Sequence, residues 1–499
     1  MKKHAITRLR LPGKPLWHNN RIISDQIMYR MNIHFHGAAR TVTGSKHLVS
    51  LDNQYQILLD CGMFQGMGAR TQRLNGEFGF DASEIDLLLL SHAHIDHSGL
   101  IPKLVAEGFT GKILCTQATR ELTEILLIDS ADIQARQMND SGQFPLYTMP
   151  EVSRSMEQFR IVEFDEWNIC TPEVSVLFTE TGHLPGSAAI HLKITEEGKE
   201  TNISYSADVG RARHPLLKSA ALFPQAEYII LESTYGDKHH NLHTSNIDQL
   251  LEWIQYTCIS KRGKLVIPAF SVGRTQELLF MLNQLELEKR LPELKYFVDS
   301  PLGMKATETI KSHVREFNAS IQKILEIDDD PFLFNGLKYV ETAEDSVRLT
   351  EYEEPCVIIS SSGTADAGRV KYHIETCIGD KKNTILFSGY CGPDSLGGQL
   401  LNGVSEIAIF HSLQEVKAEI SQLKGLSAHG DADDLCQFIA CQDPGLVRGI
   451  FLVHGEYKVQ EALASKLLAR GFYPVTIPEM HERIEINRTL THAVSVSPA

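Results

Sequence analysis

A short run of histidine and aspartate side chains, residues 91–99, is the part of the sequence best suited to chemistry. It reads Ser-His-Ala-His-Ile-Asp-His-Ser-Gly and follows the apolar run Leu87–Leu90, which indicates a turn after a strand. On such a turn three imidazoles and a carboxylate can converge, which a regular strand or helix does not allow. Zn²⁺ takes imidazole nitrogen and carboxylate oxygen as ligands. The run therefore predicts a metal site built from four side chains: His92, His94, Asp96 and His97.

The alternative for this run is a solvated polar turn. Clustered histidines repel one another when protonated and gain little unless a metal organises them, which favours the metal site.

Other polar residues also stand directly after apolar, strand-like runs. Ligands of α/β proteins bind at the carboxyl ends of strands, so these residues are expected at one edge of a sheet. Each has an ordinary alternative as a loop histidine, a helix cap or a paired carboxylate. The residues are Asp60, Asp208, Glu232 and His454.

The elements that position these residues are short strands alternating with helices. Later strands are apolar on both faces, which is typical of a covered parallel sheet. The sequence predicts an α/β fold with an antiparallel contribution in the first half. Its strand candidates are 56–59, 86–90, 112–115, 174–178, 202–205, 228–231, 264–267, 296–298, 356–359, 384–387, 406–409 and 449–453.

Composition excludes several classes of protein. Lys and Arg total 48 against 63 Asp and Glu, so the net charge of −15 argues against broad, charge-driven adhesion to nucleic acid. No apolar run approaches the roughly 20 residues of a membrane span. Nine cysteines without a CxxC pair fit a reducing, cytoplasmic location. A homodimer is expected only because dimers are the commonest oligomers.

The motifs together resemble the metallo-β-lactamase superfamily. The similar segments are Leu58–Gly62, the His-x-His-x-Asp-His run, Thr181–His183 and Ser206–Gly210. The resemblance implies an αββα sandwich in which His183 completes a first metal site and Asp208 bridges two metals. It also implies that Asp60 hydrogen-bonds the turn carrying the ligands.

Further segments resemble the β-CASP group, the nucleic-acid-processing branch of that superfamily. Leu231–Gly236, Gly425–Asp431 and Leu452–Glu456 are similar to its motifs A, B and C. Pro268–Glu277 and Ser360–Gly363 are similar to its inserted α/β cap domain. The implied organisation is an N-terminal extension (1–30), a metallo-β-lactamase domain in two parts (31–236 and 421–490), the β-CASP cap (237–420) and a tail (491–499). The extension is expected to be poorly ordered, or to precede a natural start at Met31.

The resemblance implies two Zn²⁺ ions and a hydrolytic mechanism. The first ion would take His92, His94, His183 and Asp208, and the second would take Asp96, His97, Asp208 and His454. A metal-bound hydroxide would attack the phosphodiester and leave 5′-phosphate and 3′-hydroxyl ends. The implied catalytic residues are Asp96, Glu232 and His429, with His429 as general acid held by Glu232. His429 and His454 have plainer alternatives as residues at helix N-termini.

The substrate side is predicted from the cap. Arg274 opens a helical run, and a helix N-terminus with a guanidinium is a natural phosphate site; a surface cap is the alternative. Ser361, Ser362 and Gly363 follow a buried strand and either donate to phosphate or end the strand, and Arg369 is equally open. The group often has a methionine in the following segment, whereas this chain has Thr364–Arg369.

RNA bound between the two domains is the expected substrate. In the RNA-cleaving branch of the group the motif C position is histidine, as in His454, whereas the DNA-repair branch typically has valine. The alternatives are a small-molecule or ester hydrolase, a DNA nuclease, and a non-catalytic RNA-binding subunit. An ester hydrolase does not account for Glu232, His429 and the long insert, and non-catalytic paralogues typically lose ligands. Endonuclease and 5′-exonuclease action stay open.

Overall fold

The computed structural model describes residues 31–486, apart from 142–143, 197, 241–244, 411 and 424. The expectations for segments 1–30 and 491–499 lie outside the described residues.

Two sheets and their flanking strands form the first structural unit of the chain. The strands are β1 (Met31–Phe35), β2 (His47–Ser50), β3 (Gln56–Leu59), β4 (Leu87–Leu89), β5 (Lys112–Cys115), β6 (Phe159–Ile161), β7 (Asn168–Ile169), β8 (Val174–Glu180), β9 (Ala188–Glu196), β10 (Lys199–Tyr205) and β11 (Tyr228–Glu232). The cap contributes β12 (Lys264–Pro268), β13 (Lys295–Asp299), β14 (Leu337–Tyr339), β15 (Cys356–Ser360), β16 (Thr384–Phe387), β17 (Glu406–Ile409), β18 (Ser412–Glu415) and β19 (Glu419–Gln422). The chain then returns with β20 (Gly449–Val453), β21 (Val475–Thr476) and β22 (Glu482–Ile486).

The helices lie between these strands. They are α1 (Thr71–Gly76), α2 (Ile95–Ser98), α3 (Ile101–Ala106), α4 (Gln117–Ser141), α5 (Met149–Glu157), α6 (Asn246–Ile254), α7 (Arg274–Leu287), α8 (Pro301–Lys311), α9 (Ala319–Ile324), α10 (Ala343–Thr350), α11 (Val370–Cys377), α12 (Leu396–Leu401), α13 (Ala432–Phe438) and α14 (Tyr457–Ala469). Among the residues that the structure describes, no helix is both long enough and apolar enough to cross a membrane.

The first unit is a sandwich of two seven-stranded sheets. Their strand orders are β22-β1-β2-β3-β4-β5-β6 and β21-β20-β11-β10-β9-β8-β7. A fully buried apolar layer that includes Ile57, Ile190 and Ile230 lies between the sheets. A second apolar cluster lies under α3 and α5, and a third under α13 and α14. This layering is the predicted αββα sandwich, and both of its sheets are completed by strands after residue 449.

The cap is built on a six-stranded, wholly parallel sheet in the order β14-β13-β15-β12-β16-β19. Apolar clusters cover both of its faces, with α7 on one side and α11 on the other. The covered parallel sheet predicted from the doubly apolar later strands is therefore confirmed, as is the α/β class with an inserted cap. The last strand of this sheet, β19, spans the boundary predicted at residue 420.

Candidate metal centre and active site

The predicted metal ligands meet where strands of the two sandwich sheets end. The turn formed by residues 91–99, which carries four of the candidates, follows β4. His183 follows β8, Asp208 follows β10 and His454 follows β20. His429 lies between β19 and α13 and reaches the same edge through a bridge between Gly210 and His429. Residues distant in the chain therefore meet because parallel strands present their carboxyl ends together.

Backbone contacts fix the turn that carries the first four ligands. His94 stands at the start of α2, and its carbonyl accepts hydrogen bonds from the amides of His97 and Ser98, both at 2.9 Å. The carbonyl of Asp96 accepts from the Ser45 amide at 2.8 Å. A methyl group on Gly62 would lie 1.6 Å from that carbonyl oxygen, so only glycine fits beneath the turn. Backbone hydrogen bonds and the close approach of Gly62 thus define the conformation of the turn that carries the ligand candidates.

The first group of ligand atoms comprises His92, His94, His183 and Asp208. The Nδ1 atom of His94 lies 3.1 Å from both His92 Nε2 and His183 Nε2. Asp208 Oδ2 lies 3.5 Å from each of those two Nε2 atoms. Ligands bound 2.0–2.2 Å from a tetrahedral ion stand about 3.3–3.6 Å apart, so these spacings fit a zinc-sized ion.

The second group comprises Asp96, His97 and His454, with Asp208 beside it. His454 Nε2 lies 3.3 Å from both His97 Nε2 and Asp96 Oδ2. The other oxygen of Asp208, Oδ1, lies 3.3 Å from His97 Nε2. The two oxygens of one carboxylate thus face two separate ligand groups, which is the arrangement that a bridging ligand requires.

The chemistry of these donors suits bound metal. Burial lowers the pKa of His92 and His183 well below the usual value and that of His94 to about 4, so the three imidazoles are neutral. Asp208 Oδ1 is buried, and although ring nitrogens of His97 and His454 lie 3.3 and 3.6 Å away, it accepts no well-formed hydrogen bond from the described residues. Such an atom is costly unless something satisfies it, and an ion in the second group would do so. The residues present therefore fit two metal ions.

Asp60 organises the ligand turn from below. It is fully buried after β3, and its carboxylate accepts hydrogen bonds from the amide and hydroxyl of Ser91, both at 2.7 Å. Its Oδ2 also lies 2.7 Å from His97 Nδ1. When Nδ1 of His97 carries the proton, Nε2 is left to bind metal, which fixes both the tautomer and the ring orientation.

The buried Glu232 and the partly buried His429 form a pair beside the metal-ligand candidates. Glu232 Oε1 lies 3.2 Å from His429 Nδ1 and accepts a 2.7 Å hydrogen bond from the Val209 amide. Burial alone would lower the pKa of His429, but the charges of Glu232 and then Asp208 outweigh it and raise this pKa to about 9. An imidazolium held in this way can donate a proton at neutral pH.

His429 also lies within ligand distance of Asp208 and His454. Its ring centroid is 4.6 Å from that of His183. Geometry alone therefore allows two roles for His429, as proton donor or as a further ligand.

The predicted substrate residues fall into two sets. Ser361 and Ser362 lie at the carboxyl edge of the cap sheet, partly exposed, with Ser361 Oγ 3.0 Å from Ser300 Oγ, and Gly363 follows them in a buried position. The two arginines are instead held by carboxylates. Arg274 is buried and paired with Glu277, and Arg369 lies 2.7 Å from Asp299. The structure therefore brings the hydroxyl groups to the edge of the cap sheet but engages both guanidiniums with carboxylates.

The sequence analysis missed several residues that support the site. Tyr205 donates from its hydroxyl to Asp60 Oδ2 at 2.8 Å, and Thr234 Oγ1 lies 3.0 Å from His454 Nδ1. Arg211, just after the Asp208 loop, donates to the Gly425 carbonyl at 2.6 Å and pairs with Glu277 of the cap. Thr234 lies inside the segment Leu231–Gly236, and Tyr205 and Arg211 flank Ser206–Gly210. Their position in or next to these motifs was the available signal in the sequence.

This sandwich, its cap and its histidine-rich edge define a metal-dependent hydrolase. Three family models match successive parts of the chain. The Metallo-beta-lactamase superfamily domain matches residues 48–234, the Beta-Casp domain matches 275–400, and the Zn-dependent metallo-hydrolase RNA specificity domain matches 414–478.

Curated relatives agree with these domains. Ribonuclease TTHA0252 of Thermus thermophilus is 34% identical over 87% of this chain and 95% of that protein. Transcription termination factor FttA of Methanosarcina mazei is 28% identical over 86% and 68%, and the RNase J-like protein of Methanocaldococcus jannaschii is 29% identical over 81% and 88%. The chain belongs to the β-CASP family of the metallo-β-lactamase superfamily and is a metal-dependent nuclease.

A solved structure shares the fold. The crystal structure of a protein of unknown function from Enterococcus faecalis aligns with a TM-score of 0.51 and 12% identity, over 92% of this chain and all of that one. At that identity the likeness concerns the fold alone.

Proposed function

We propose that this protein is a zinc-dependent ribonuclease that hydrolyses RNA phosphodiester bonds and leaves 5′-phosphate and 3′-hydroxyl ends. The observation that carries the proposal is the Asp208 carboxylate, whose two oxygens face two separate ligand groups. Zn²⁺ ions in these groups would lower the pKa of a water and offset the charge of the phosphodiester. His92, His94 and His183 with Asp208 would hold one ion, and Asp96, His97 and His454 with Asp208 the other.

Proton transfer is assigned to His429. Its Nδ1 faces Glu232, so Nε2 is the atom left to protonate the departing ribose 3′-oxygen. Glu232 orients the ring and keeps the imidazolium charged, which matches the raised pKa of about 9. Asp96 lies at the partly open side of the second group, with 19% of its side chain exposed, where a substrate phosphate can approach.

RNA is favoured over the alternatives by three features. The curated relatives include proteins named as ribonucleases, and the last family model is described as an RNA specificity domain. His454 takes part in the second ligand group, as in the RNA-cleaving branch of the family. Ser361, Ser362 and Gly363 of the cap are proposed to contact the phosphate backbone, while Arg274 and Arg369 would have to leave their carboxylate partners to do so.

The test is a fluorogenic RNA oligonucleotide incubated with the purified protein, with and without a chelator. We expect RNA cleavage that the chelator abolishes and that Zn²⁺ restores. The same sequence as DNA, and a p-nitrophenyl ester, should react far more slowly. Efficient ester hydrolysis without RNA cleavage would instead support a small-molecule hydrolase, and preferred cleavage of DNA would support a DNA nuclease.

A further inference from the structure

Two aromatic side chains stand half-exposed at the carboxyl edge of the cap sheet. Phe270 follows β12 and is 46% exposed, and Tyr390 follows β16 and is 48% exposed. Single exposed aromatics are common, but here two occur on loops that leave neighbouring strands of one sheet. We call Phe270 and Tyr390 the aromatic pair.

One side of the Phe270 ring lies against neighbouring loops of the cap. A methyl group built on Gly363 would lie 2.8 Å from the ring, and one on Gly389 would lie 3.9 Å from it. The ring therefore lies against two glycine positions, on loops after β15 and β16. The Phe270 carbonyl accepts hydrogen bonds from the Thr275 amide and hydroxyl at 3.2 and 2.8 Å. One part of the ring is thus packed and the remainder is open.

The loops of the aromatic pair lie near segments of the sandwich that carry metal-ligand candidates. The loop that begins at Phe270 reaches Gly273, where an added methyl group would lie 2.9 Å from Leu184, the neighbour of His183. Tyr390 lies close enough to Glu456 that this carboxylate, after burial, helps to raise the pKa of the phenol. Glu456 stands two residues beyond His454, so the loops that carry the aromatic pair approach the part of the sandwich that holds the ligands.

The two guanidinium groups predicted at this edge are not free to bind RNA. The two cap arginines predicted to meet phosphate are engaged with Glu277 and Asp299. The chain carries a net charge of −15. A strand approaching the metal centre therefore meets hydroxyl groups and aromatic rings at the cap. Aromatic rings bind single-stranded nucleic acid by stacking on bases, and the contact tolerates any base.

We propose that the aromatic pair is a stacking platform for nucleobases of the single-stranded RNA whose phosphodiester reaches the metal centre. The proposal rests on the proposed function for the identity of the strand. Stacking on these rings would position the strand with little dependence on its sequence.

The test combines protein variants with abasic RNA. The zinc-loaded protein is titrated with a fluorescein-labelled RNA oligonucleotide carrying phosphorothioate linkages, which slow hydrolysis, and Kd is measured by anisotropy. A single abasic residue is moved along the strand. In the wild type we expect Kd to rise about 5- to 100-fold at one or two positions. In Phe270→Ala or Tyr390→Ala, Kd for intact RNA should rise similarly, and the abasic penalty at one of those positions should vanish.

Matched variants separate stacking from other effects. Phe270→Trp should keep the abasic penalty, whereas Phe270→Leu should lose it although it retains apolar bulk. Tyr390→Phe should behave as the wild type because the ring, and not the hydroxyl, makes the contact. Phe144→Ala removes an 80% exposed phenylalanine outside the cap and should leave Kd and the penalty unchanged. Zinc content and melting temperature check that each variant is folded.

Several results would overturn the inference. These are the absence of RNA binding, the absence of an abasic penalty in the wild type, or a penalty that persists undiminished in both alanine variants. Cleavage of unmodified RNA by the wild type is measured in parallel. Cleavage without the aromatic coupling would refute the platform and leave the proposed function standing. An abasic penalty that depends on the aromatic pair, without RNA cleavage, would support the platform and refute the proposed function.

Discussion

His429 is the residue at which two chemical roles compete. It lies 3.2 Å from Glu232 through Nδ1, as a positioned acid would, yet it also stands within ligand distance of Asp208 and His454. An acid can be removed without loss of metal, whereas a ligand cannot. The two roles therefore differ in zinc content as well as in activity.

We expect His429→Ala to retain about two zinc ions per chain and to lose RNA cleavage by a factor on the order of 10²–10⁴. The matched variant His454→Ala should lose the second zinc preferentially, because its Nε2 lies 3.3 Å from two other ligand atoms. Elemental analysis and initial rates measure both. Loss of zinc from His429→Ala in proportion to activity would assign His429 to the metal site.

Glu232 should set the alkaline limit of activity. A general acid works only while protonated, so a pKa of about 9 for His429 keeps it competent up to about pH 9. In Glu232→Gln the main charge that raises this pKa is gone, and burial then lowers it. The alkaline limb of the rate–pH profile should move to lower pH by about one unit or more. Glu308→Gln, a change at an exposed carboxylate, is the control, and an unmoved limb in Glu232→Gln would contradict the assignment.

Lys46 shows how an element beneath the site is held. Lys46 directly precedes β2, and its side chain is fully buried. Its amino group donates hydrogen bonds to the carbonyls of Gly44 and Gly62 at 2.9 and 2.8 Å. Gly62 is the glycine that leaves room for the ligand turn. Burial lowers the pKa of Lys46 from 10.5 to about 7. The lysine thus links two loops by hydrogen bonds, and burying its positive charge costs free energy.

This arrangement predicts a pH dependence of stability. Between about pH 7 and 10.5 the unfolded chain binds a proton at Lys46 that the folded chain does not, so this group makes stability rise with pH by about 1.4 kcal/mol per unit. We expect the free energy of unfolding of the wild type, measured with urea, to rise from pH 7 to 9 relative to that of Lys46→Met by about 1.4 kcal/mol per pH unit. Lys193→Met, at a 39% exposed side chain, should show no such difference. Parallel curves for wild type and Lys46→Met would refute the account.

The elements that could be predicted from sequence are those whose pattern is local. The strands 56–59, 112–115, 384–387, 406–409 and 449–453 were predicted with the bounds that the structure has. The central strand β9 was missed, because His191 and Lys193 interrupt its apolar run. His191 is tolerated there only since Thr179 and Ser204 hydroxyls lie 2.8 and 2.9 Å from its ring nitrogens. Those partners come from neighbouring strands, which a single segment does not reveal.

The same distinction applies to the site. The metal-ligand candidates stand out because residue type and spacing are local properties, and the structure brings them together, while their roles stay predictions. Arg274 follows the opposite course, because the carboxylate that holds it also pairs with Arg211, 66 residues away. A guanidinium at a helix start suggests phosphate binding. Its partner Glu277 lies only three residues further along the same helix, but the burial of this pair and its link to Arg211 arise only in the folded structure.

At the scale of the whole molecule, the sandwich and the cap are joined by buried charge. Glu277 of the cap is 2% exposed and pairs with both Arg211 and Arg274, each 7% exposed. Arg211 follows the loop of Asp208, so the contact connects the loop that carries this candidate ligand to the cap. Glu277 therefore pairs with one buried guanidinium of the sandwich and one of the cap.

Glu277→Ala should destabilise the protein by about 3–5 kcal/mol, because it leaves two guanidiniums buried without their counter-charge. The control Glu308→Ala removes an exposed partner of Lys311 and should cost about 0–1 kcal/mol. Urea unfolding followed by circular dichroism measures both. Equal losses in the two variants would show that the buried contact contributes nothing to the joining of the sandwich and the cap.

The central claim, metal-dependent hydrolysis of RNA at the Asp208 site, is tested most directly by the chemistry of the product ends. RNA is cleaved by the zinc-loaded protein in ¹⁸O-labelled water, and the fragments are analysed by mass spectrometry. Hydrolysis at this site predicts 5′-phosphates that carry one ¹⁸O, 3′-hydroxyl partners without label, and loss of both zinc and cleavage in Asp208→Ala. Fragments with 3′-phosphate or cyclic phosphate ends, or undiminished cleavage by Asp208→Ala, would contradict the account.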